Sequence, residues 1–398
     1  MKKVVAISSH NRFSVGNIML NISAHAAAAG YKAYTFSPRS RTQKVNVPNH
    51  FFFGNIPERN ISNIINIQTG KQGALNYVGT YELLRKLNHI SPDIIHLHNL
   101  HSNYVNLRML FRYINEKNIP VVWTFHDCWP FTGQCPYFDI VDCKKWKMHC
   151  EHCAMCGEYP QTKKDRSFQM YDLKKQLFTS VSDMTIITPS DWLRALVMES
   201  FLSCHDVRVI NNGVDQSIFK PIDSTFRKDH GLEGKFIILG VASAWGERKG
   251  LDRFIALSKR LDSRFKIVLV GIEQGELNAP DILCIKKTLN QAELAKIYTA
   301  ADVLLNPTRE DNFPTVNIEA LSCGTPVISY GAGGSAEAFD DATGRTISED
   351  NVEATLDELF WNNYQTEACI NRAKNFDEDL VFDKYIRLYD EILNRRKQ

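Results

Sequence analysis

"DVLLNPTREDNFPTVNIEALSCGTPVISYG" runs from Asp302 to Gly331, and its reading decides the fold. "DVLLNP" is a short apolar run closed by proline, which reads as a buried strand. "TVNIEALSC" reads as a helix that stops at Gly324, and "TPVISY" is a strand again, the last clear one. Apolar strands alternating with helices imply a parallel sheet covered on both faces. In such sheets ligands sit at the carboxyl ends of the strands, where helix N-termini point.

The start of this helix carries the chemistry. Asn312 or Phe313 reads as its cap, and Pro314 suits the first helical position because it has no N–H to leave unpaired. The N–H groups from Thr315 to Asn317 then form an anion site. Glu319 lies about one turn further in, and a carboxylate accepts two hydrogen bonds from a vicinal diol such as that of ribose. Asp311 or Glu310, ahead of the helix, suits a second polyol such as a sugar. A nucleotide diphosphate sugar would meet all three features. The plainer alternative is a helix whose N-terminal acids only favour its dipole.

Outward from this stretch the pattern repeats. "KFIILGVAS", "FKIVLVG" and "DILCIK" are strands, and "NQAELAKIYTAA" is a helix capped by Asn290. Between the first two strands, "ASAWGERKGLDRF" leads into a helix from Gly250 to Leu261. Arg248 and Lys249 stand at that strand-to-helix junction, where two cations can neutralise a pyrophosphate. A solvated basic turn is the alternative. The first half uses the same alternation: "KVVAISS", "YKAYTFSP", "DIIHLHN", "PVVWTFHD", "MTIITPS" and "VRVINNG" are strands, with a loop between Pro38 and a helix at Thr80 to His89. "GVDQSIFKPIDSTFRKDHGLEGK" reads as the linker region. The expected architecture is α/β, with two Rossmann-like doubly wound domains facing across a cleft and a Cys-rich loop inserted in the first. Residues 1–213 form the N-terminal domain, with that loop at about 127–160. Residues 214–378 form the C-terminal domain, and a terminal helix at 379–398 packs back on the first.

Bulk properties narrow the class. The 398 residues are too many for one core. A formal net charge of +2 gives no case for nucleic acid. The start lacks the apolar run and cleavage site of a signal peptide, and no stretch has the length of a membrane span. A cytoplasmic protein, resting at most on a membrane surface, is expected.

Of ten cysteines, six fall between Cys128 and Cys156. Cys150-x2-Cys153 has metal-knuckle spacing, and Cys135 with Cys143 completes a tetrahedral set for a structural zinc. Free thiols are the main alternative, and the choice of four from six stays open. A loop this long, with few apolar residues, needs something to hold it. His96, His98 and His101 also invite a metal reading. His96 and His98 alternate on one strand face while His101 lies past its end, which favours structural or acceptor-lining roles.

Four motifs together resemble the retaining glycosyltransferases of family 4, with the GT-B architecture. They are "TFHD", "VINNGVDQSIFKP", "WGERKGLDRF" and "EDNFPTVNIEALSCGTPVI", in the family's order and spacing. "HDCWPFTGQCPYFD" further resembles bacterial enzymes of colanic-acid and capsule synthesis. The resemblance implies transfer of a hexose from a UDP- or GDP-linked sugar to a saccharide hydroxyl, with retention and front-face attack by the acceptor. It implies that His126 faces the donor sugar and that Gly16 lies in a loop before the first helix. Arg248, Lys249 and the helix start at Thr315 would stabilise the departing diphosphate, with no divalent cation required for catalysis. This chain has Asn312-Phe313-Pro314-Thr315 where the family has Gly-Phe-Gly-Leu, and the resemblance implies that these four residues, like Gly16, contact the donor. Its seven-residue spacing to Glu319 selects Asp311, with Glu310 one position early. The Asp-x-Asp at Asp377 to Asp379 reads as the acidic start of the terminal helix, not as a metal motif. The subgroup implies a lipid-linked acceptor, and the basic stretches "PRSRTQK", "KKWKMH" and "TKKDR" suit docking on anionic headgroups. The alternatives are another nucleotide-sugar enzyme of this architecture, an epimerase or phosphorylase, and a non-catalytic zinc-bearing protein that only binds nucleotide sugars.

Overall fold

The computed structural model describes residues 1–40, 47–286 and 288–396. The chain divides into two compact units, Met1–Ile210 with Phe382–Gln398, and Asn211–Val381.

Among the described residues, unit 1 holds seven parallel strands: β1 (Lys3–Ile7), β2 (Lys32–Pro38), β3 (His50–Phe53), β4 (Ile94–Leu97), β5 (Val121–Thr124), β6 (Met184–Thr188) and β7 (Asp206–Val209). Their order in the sheet is β3-β2-β1-β4-β5-β6-β7. Its helices are α1 (Phe13–Ala28), α2 (Ile56–Thr69), α3 (Tyr77–Ile90), α4 (Leu107–Lys117), α5 (Ser167–Phe178) and α6 (Asp191–Met198). Every residue of β4, β5 and β6 is buried, which is why these strands read as unbroken apolar runs. Helix starts are set locally. Asn106 caps α4 by accepting from Met109 N, and Ser190 caps α6 by accepting from Leu193 N.

Unit 2, among the described residues, holds six parallel strands: β8 (Phe236–Val241), β9 (Phe265–Val270), β10 (Ile282–Ile285), β11 (Val303–Asn306), β12 (Val327–Ser329) and β13 (Gly344–Thr346). Their order is β10-β9-β8-β11-β12-β13. Its helices are α7 (Phe226–Asp229), α8 (Leu251–Ser258), α9 (Gln291–Ala300), α10 (Thr315–Ser322), α11 (Val352–Trp361) and α12 (Thr366–Ala373). The final helix, α13 (Glu378–Arg395), belongs to unit 1 from Phe382 onward. There Tyr389 Oη bonds His96 Nδ1 at 2.7 Å. The sheet of unit 2 is buried on both faces. Ile237 and Leu239 of β8 join one apolar cluster, and Phe236 and Ile238 join the other. That is the period-two alternation of a strand with a core on each side.

Four stretches depart from the sequence reading. Most of the supposed loop before Tyr77 contains β3 and α2. α2 has a clear start, since Asn55 accepts from Glu58 N at 2.8 Å. Its burial pattern is reversed, though: Ser62 and Asn66 are buried while Ile61 and Ile64 face out. Beyond Tyr330, β13, α11 and α12 extend unit 2. The supposed linker is anchored in unit 2. Val214 and Phe219 sit in its core, and Val214 N donates to Phe376 O at 3.0 Å. Finally, the segment after β5 is not poor in buried apolar groups. Trp129, Phe131, Phe138 and Trp146 are buried, and the Phe131 and Phe138 rings lie 5.1 and 5.2 Å from that of Trp146. The sparse apolar letters understated it because large aromatic rings each bury much surface.

Candidate functional site

In unit 2, the carboxyl end of β11 meets the start of α10. The cap of α10 is Pro314 itself, at φ −69° and ψ 122°, so the helix begins one residue later than the sequence suggests. Asn317 N donates to Pro314 O at 3.2 Å. The N–H groups left at the helix start are therefore those of Thr315 and Val316. Asn317 instead braces the strand end. Its Oδ1 accepts from Asn306 Nδ2 at 2.9 Å, and its Nδ2 donates to Ser335 O at 2.8 Å.

The loop carrying Arg248 and Lys249 docks on the same place. Gly250 has φ +72°, and a Cβ there would lie 2.4 Å from Pro307 O, so the contact needs glycine. Arg309 N donates to Arg248 O at 2.8 Å, and Arg248 Nη1 donates to Glu310 O at 3.0 Å. Lys249 Nζ pairs with Asp311 Oδ2 at 2.5 Å. Lys249 and Val316 line one small cavity, with Trp245, Asn306 and Pro307 in its wall. The cation and the helix start are thus brought together. Asp311 is the counter-ion of Lys249, while Glu310 is buried. Phe313 lies in the core of unit 2, 5.5 Å from the Phe376 ring, and Asn312 is buried beside it. Phe313 therefore holds the loop by packing and presents no surface to a ligand.

Glu319 is held from below. Tyr298 Oη, on α9, donates to Glu319 Oε2 at 2.8 Å, and the Thr315 side chain also bonds the carboxyl. Burial raises the pKa of Glu319, and these two hydrogen bonds work against that rise. The sequence reading missed Tyr298, which carries no signal beyond its helical spacing. It also missed Gly333, where a Cβ would lie 1.9 Å from Asp311 O. The Gly-rich turn after β12 was the available sign.

In unit 1, the carboxyl ends of β4 and β5 carry a stack of histidines. His98 Nδ1 and His126 Nε2 are 3.0 Å apart, and the His96 and His98 ring centres are 4.3 Å apart. His96 is enclosed by hydroxyls, with Thr124 Oγ1 at 2.8 Å from Nε2 and Tyr389 Oη on the other nitrogen. Burial pushes His126 down to about 4, His96 to about 3, and His98 well below the ordinary value. All three are neutral near pH 7. His98 Nε2 is buried without a partner. A buried N–H without a partner is rarer than a bare acceptor. The His98 proton is accordingly assigned to Nδ1, donating to His126 Nε2, which places the His126 proton on Nδ1. His101 is occupied elsewhere: its Nε2 bonds Asp127 Oδ2 at 2.9 Å. Gly16 lies in the first turn of α1, not in a loop before it. A Cβ there would come within 2.5 Å of the Asn11 carbonyl carbon, so glycine lets the helix start close over the end of β1.

Cys135, Cys143, Cys150 and Cys153 line one small cavity of unit 1. All ten cysteines are free thiols. Among the described residues, no group of three or more His, Cys, Asp or Glu side chains is arranged to hold a metal ion. The acidic start of α13 is as read, with Asp379 N donating to Asp377 Oδ1 at 3.1 Å. Of the basic stretches, "KKWKMH" keeps Trp146 buried and pairs Lys147 with Glu199. In "TKKDR", Arg166 Nε bonds Thr69 O at 2.8 Å. Arg41 to Lys44 of the third lie outside the described residues. No described helix is long and apolar enough to cross a membrane.

Residues 15–217 match the family model described as Glycosyltransferase Family 4, and residues 223–376 match that of Glycosyl transferases group 1. A relative in Escherichia coli K12, named as the colanic acid biosynthesis glycosyl transferase WcaC, is 28% identical over 269 residues. That alignment spans 66% of this chain and 65% of the relative. Among solved structures, a sucrose-phosphate synthase of Thermosynechococcus elongatus superposes with a TM-score of 0.75 at 15% identity, covering 99% of this chain and 100% of the other. HepE of Anabaena, solved in complex with UDP-glucose, gives a TM-score of 0.66 at 14% identity, covering 98% of this chain and 99% of the other.

Proposed function

This chain belongs to glycosyltransferase family 4, and we propose that it moves a hexose from a nucleotide diphosphate sugar to a saccharide hydroxyl, with retention at the anomeric carbon. The observation that carries the reading is the shared cavity of Lys249 and Val316 at the end of β11. A lysine ammonium and a helix start converging on one point make a diphosphate site. Charge grows on that diphosphate as the sugar departs, so fixed positive groups there stabilise the transition state more than the bound substrate. Fixed protein charge makes a divalent cation unnecessary for this step. Glu319, steadied on one oxygen by Tyr298, is assigned to the ribose hydroxyls. Asp311 rather than the buried Glu310 is assigned to the hexose, and it becomes available as Lys249 turns to the phosphate. His126 is given the role the resemblance implies, a hydrogen bond to the donor sugar, and its neutral ring suits donation from Nδ1.

The UDP-glucose held by HepE favours a uridine donor here. The first test is a thermal-shift panel of UDP- and GDP-sugars with the full chain. A tight donor binds only the folded protein and raises its melting temperature by mass action. Two outcomes would overturn the reading: no nucleotide sugar shifts the melt, or transfer needs added magnesium or manganese.

The acceptor assigned here, as the resemblance implies, is a saccharide on a lipid carrier; the likeness to a relative named for colanic acid biosynthesis supports its polysaccharide part. Support for membrane contact comes less from the basic stretches than from α2 and α3. These helices expose Ile61, Ile64, Tyr77, Val78 and Tyr81, and Glu58 ties the first to the second by accepting from Val78 N and Gly79 N. Apolar and aromatic side chains on helices, with cations such as Arg85 nearby in the sequence, suit the headgroup boundary. In flotation with anionic vesicles, the full chain is expected to rise with the lipid. The pair Ile61→Asp and Ile64→Asp is expected to stay in the dense fraction with an unchanged melt. Equal flotation of both proteins would remove this face from consideration.

A further inference from the structure

We propose that Cys135, Cys143, Cys150 and Cys153 bind one structural zinc ion as thiolates, fastening the segment that follows β5 in unit 1. The four side chains already line one cavity, with Thr132 and Trp146 in its wall. Cys135 and Cys153 are hydrogen-bonded to each other through their sulfurs, and Cys150 interacts with both Cys143 and Cys153. The backbone is laid out for a sulfur ligand. Gly133 N donates to Cys150 Sγ at 3.1 Å, the kind of outer bond that orients a coordinated thiolate. A Cβ on Gly133 would lie 2.4 Å from Ser167 O and 2.8 Å from Cys150 Cβ, so only glycine allows that approach.

An independent observation lies behind the cavity. Lys174 is completely buried, and its Nζ donates to Trp129 O at 2.7 Å and to Thr132 O at 3.0 Å, over the Trp129 ring. No described carboxylate pairs with it. With only carbonyls and a ring for partners the charged form is costly there, and burial lowers the pKa of Lys174 to about 7. Zinc with four thiolates carries two net negative charges, and at that place it would supply what Lys174 lacks. Binding forms four Zn–S bonds and releases the four thiol protons to solvent. Among the described residues the sulfurs are not yet close enough to count as a metal group, so binding would have to draw them together.

The test is metal analysis of the full chain, purified without chelator from zinc-supplemented medium. One zinc per chain is expected. Cys150→Ser and Cys153→Ser should each lose most of it, while Cys204→Ser, at an exposed thiol, should keep it. Should the serine variants fail to fold, the wild-type chain decides. Cobalt exchanged into it should give the intense charge-transfer bands of a four-sulfur site. A wild-type chain free of zinc, zinc retained by both variants, or a cobalt spectrum without thiolate bands would each overturn the proposal. These readouts do not depend on glycosyl transfer, so failure here leaves the transferase reading intact.

Discussion

Lys249→Ala is expected to lower kcat/KM for glycosyl transfer by about two to three orders of magnitude, the usual effect of removing one group that meets developing charge. Most of the loss should fall on kcat, because the diphosphate gains charge only as the sugar leaves. The variant should fold. The Lys249–Asp311 pair is partly open to solvent, with side-chain exposures of 25% and 14%. Its loss should cost only about 1 kcal/mol of stability, near the upper end for screened pairs. Lys249→Arg keeps the charge and should recover part of kcat. Arg248 is a poorer probe, because its guanidinium also holds Glu310 O and so shapes the loop. Steady-state kinetics with the donor found in the thermal-shift panel would check this. Wild-type kcat/KM in Lys249→Ala would remove the diphosphate from this cavity.

That pair also marks the boundary of what was legible beforehand. Lys249 and Asp311 were each readable as site residues from their own stretches. Their pairing was not, because it joins loops 62 positions apart. The strands were legible because burial on both faces makes their letters uniformly apolar, as in "DVLL" and "VVWT". The ends of α10 were nearly legible because Pro314 and Gly324 restrict the backbone. α2 was missed for the opposite reason. It buries Ser62 and Asn66 and exposes Ile61 and Ile64, so its pattern does not report which side meets the core. Phe313 looked like a ligand contact because it stands inside a motif, yet an aromatic beside a core is drawn into it. Tyr298 could not be found at all, since nothing in α9 shows that its hydroxyl reaches across to α10.

The histidine stack predicts a loss of stability on mild acidification. His96 is neutral in the folded chain, with its pKa at about 3, against an ordinary value near 6.5. The unfolded chain therefore takes up a proton as pH falls through about 6.5, while the folded chain does not until about 3. Stability is present in full above the unfolded value and declines below it. At pH 5 the His96 share alone is about 2 kcal/mol, from one and a half pH units at about 1.4 kcal/mol each. His98 and His126, also held neutral by burial, act in the same direction. His50, lowered to about 4, does so too, with a smaller share because it is more open to water. Depressed carboxylates such as Asp127 add their own loss only at lower pH, below the ordinary carboxylate range. Melting temperatures of the full chain should thus fall steadily between pH 7 and pH 5. His96→Gln, which carries no titrating ring, should lose stability overall but show a shallower fall, by about one proton per molecule. A melting temperature that stays level from pH 7 to pH 5 would mean that these rings are protonated, or solvated, in the folded protein. The assignment of His126 as a neutral donor would then fall with them.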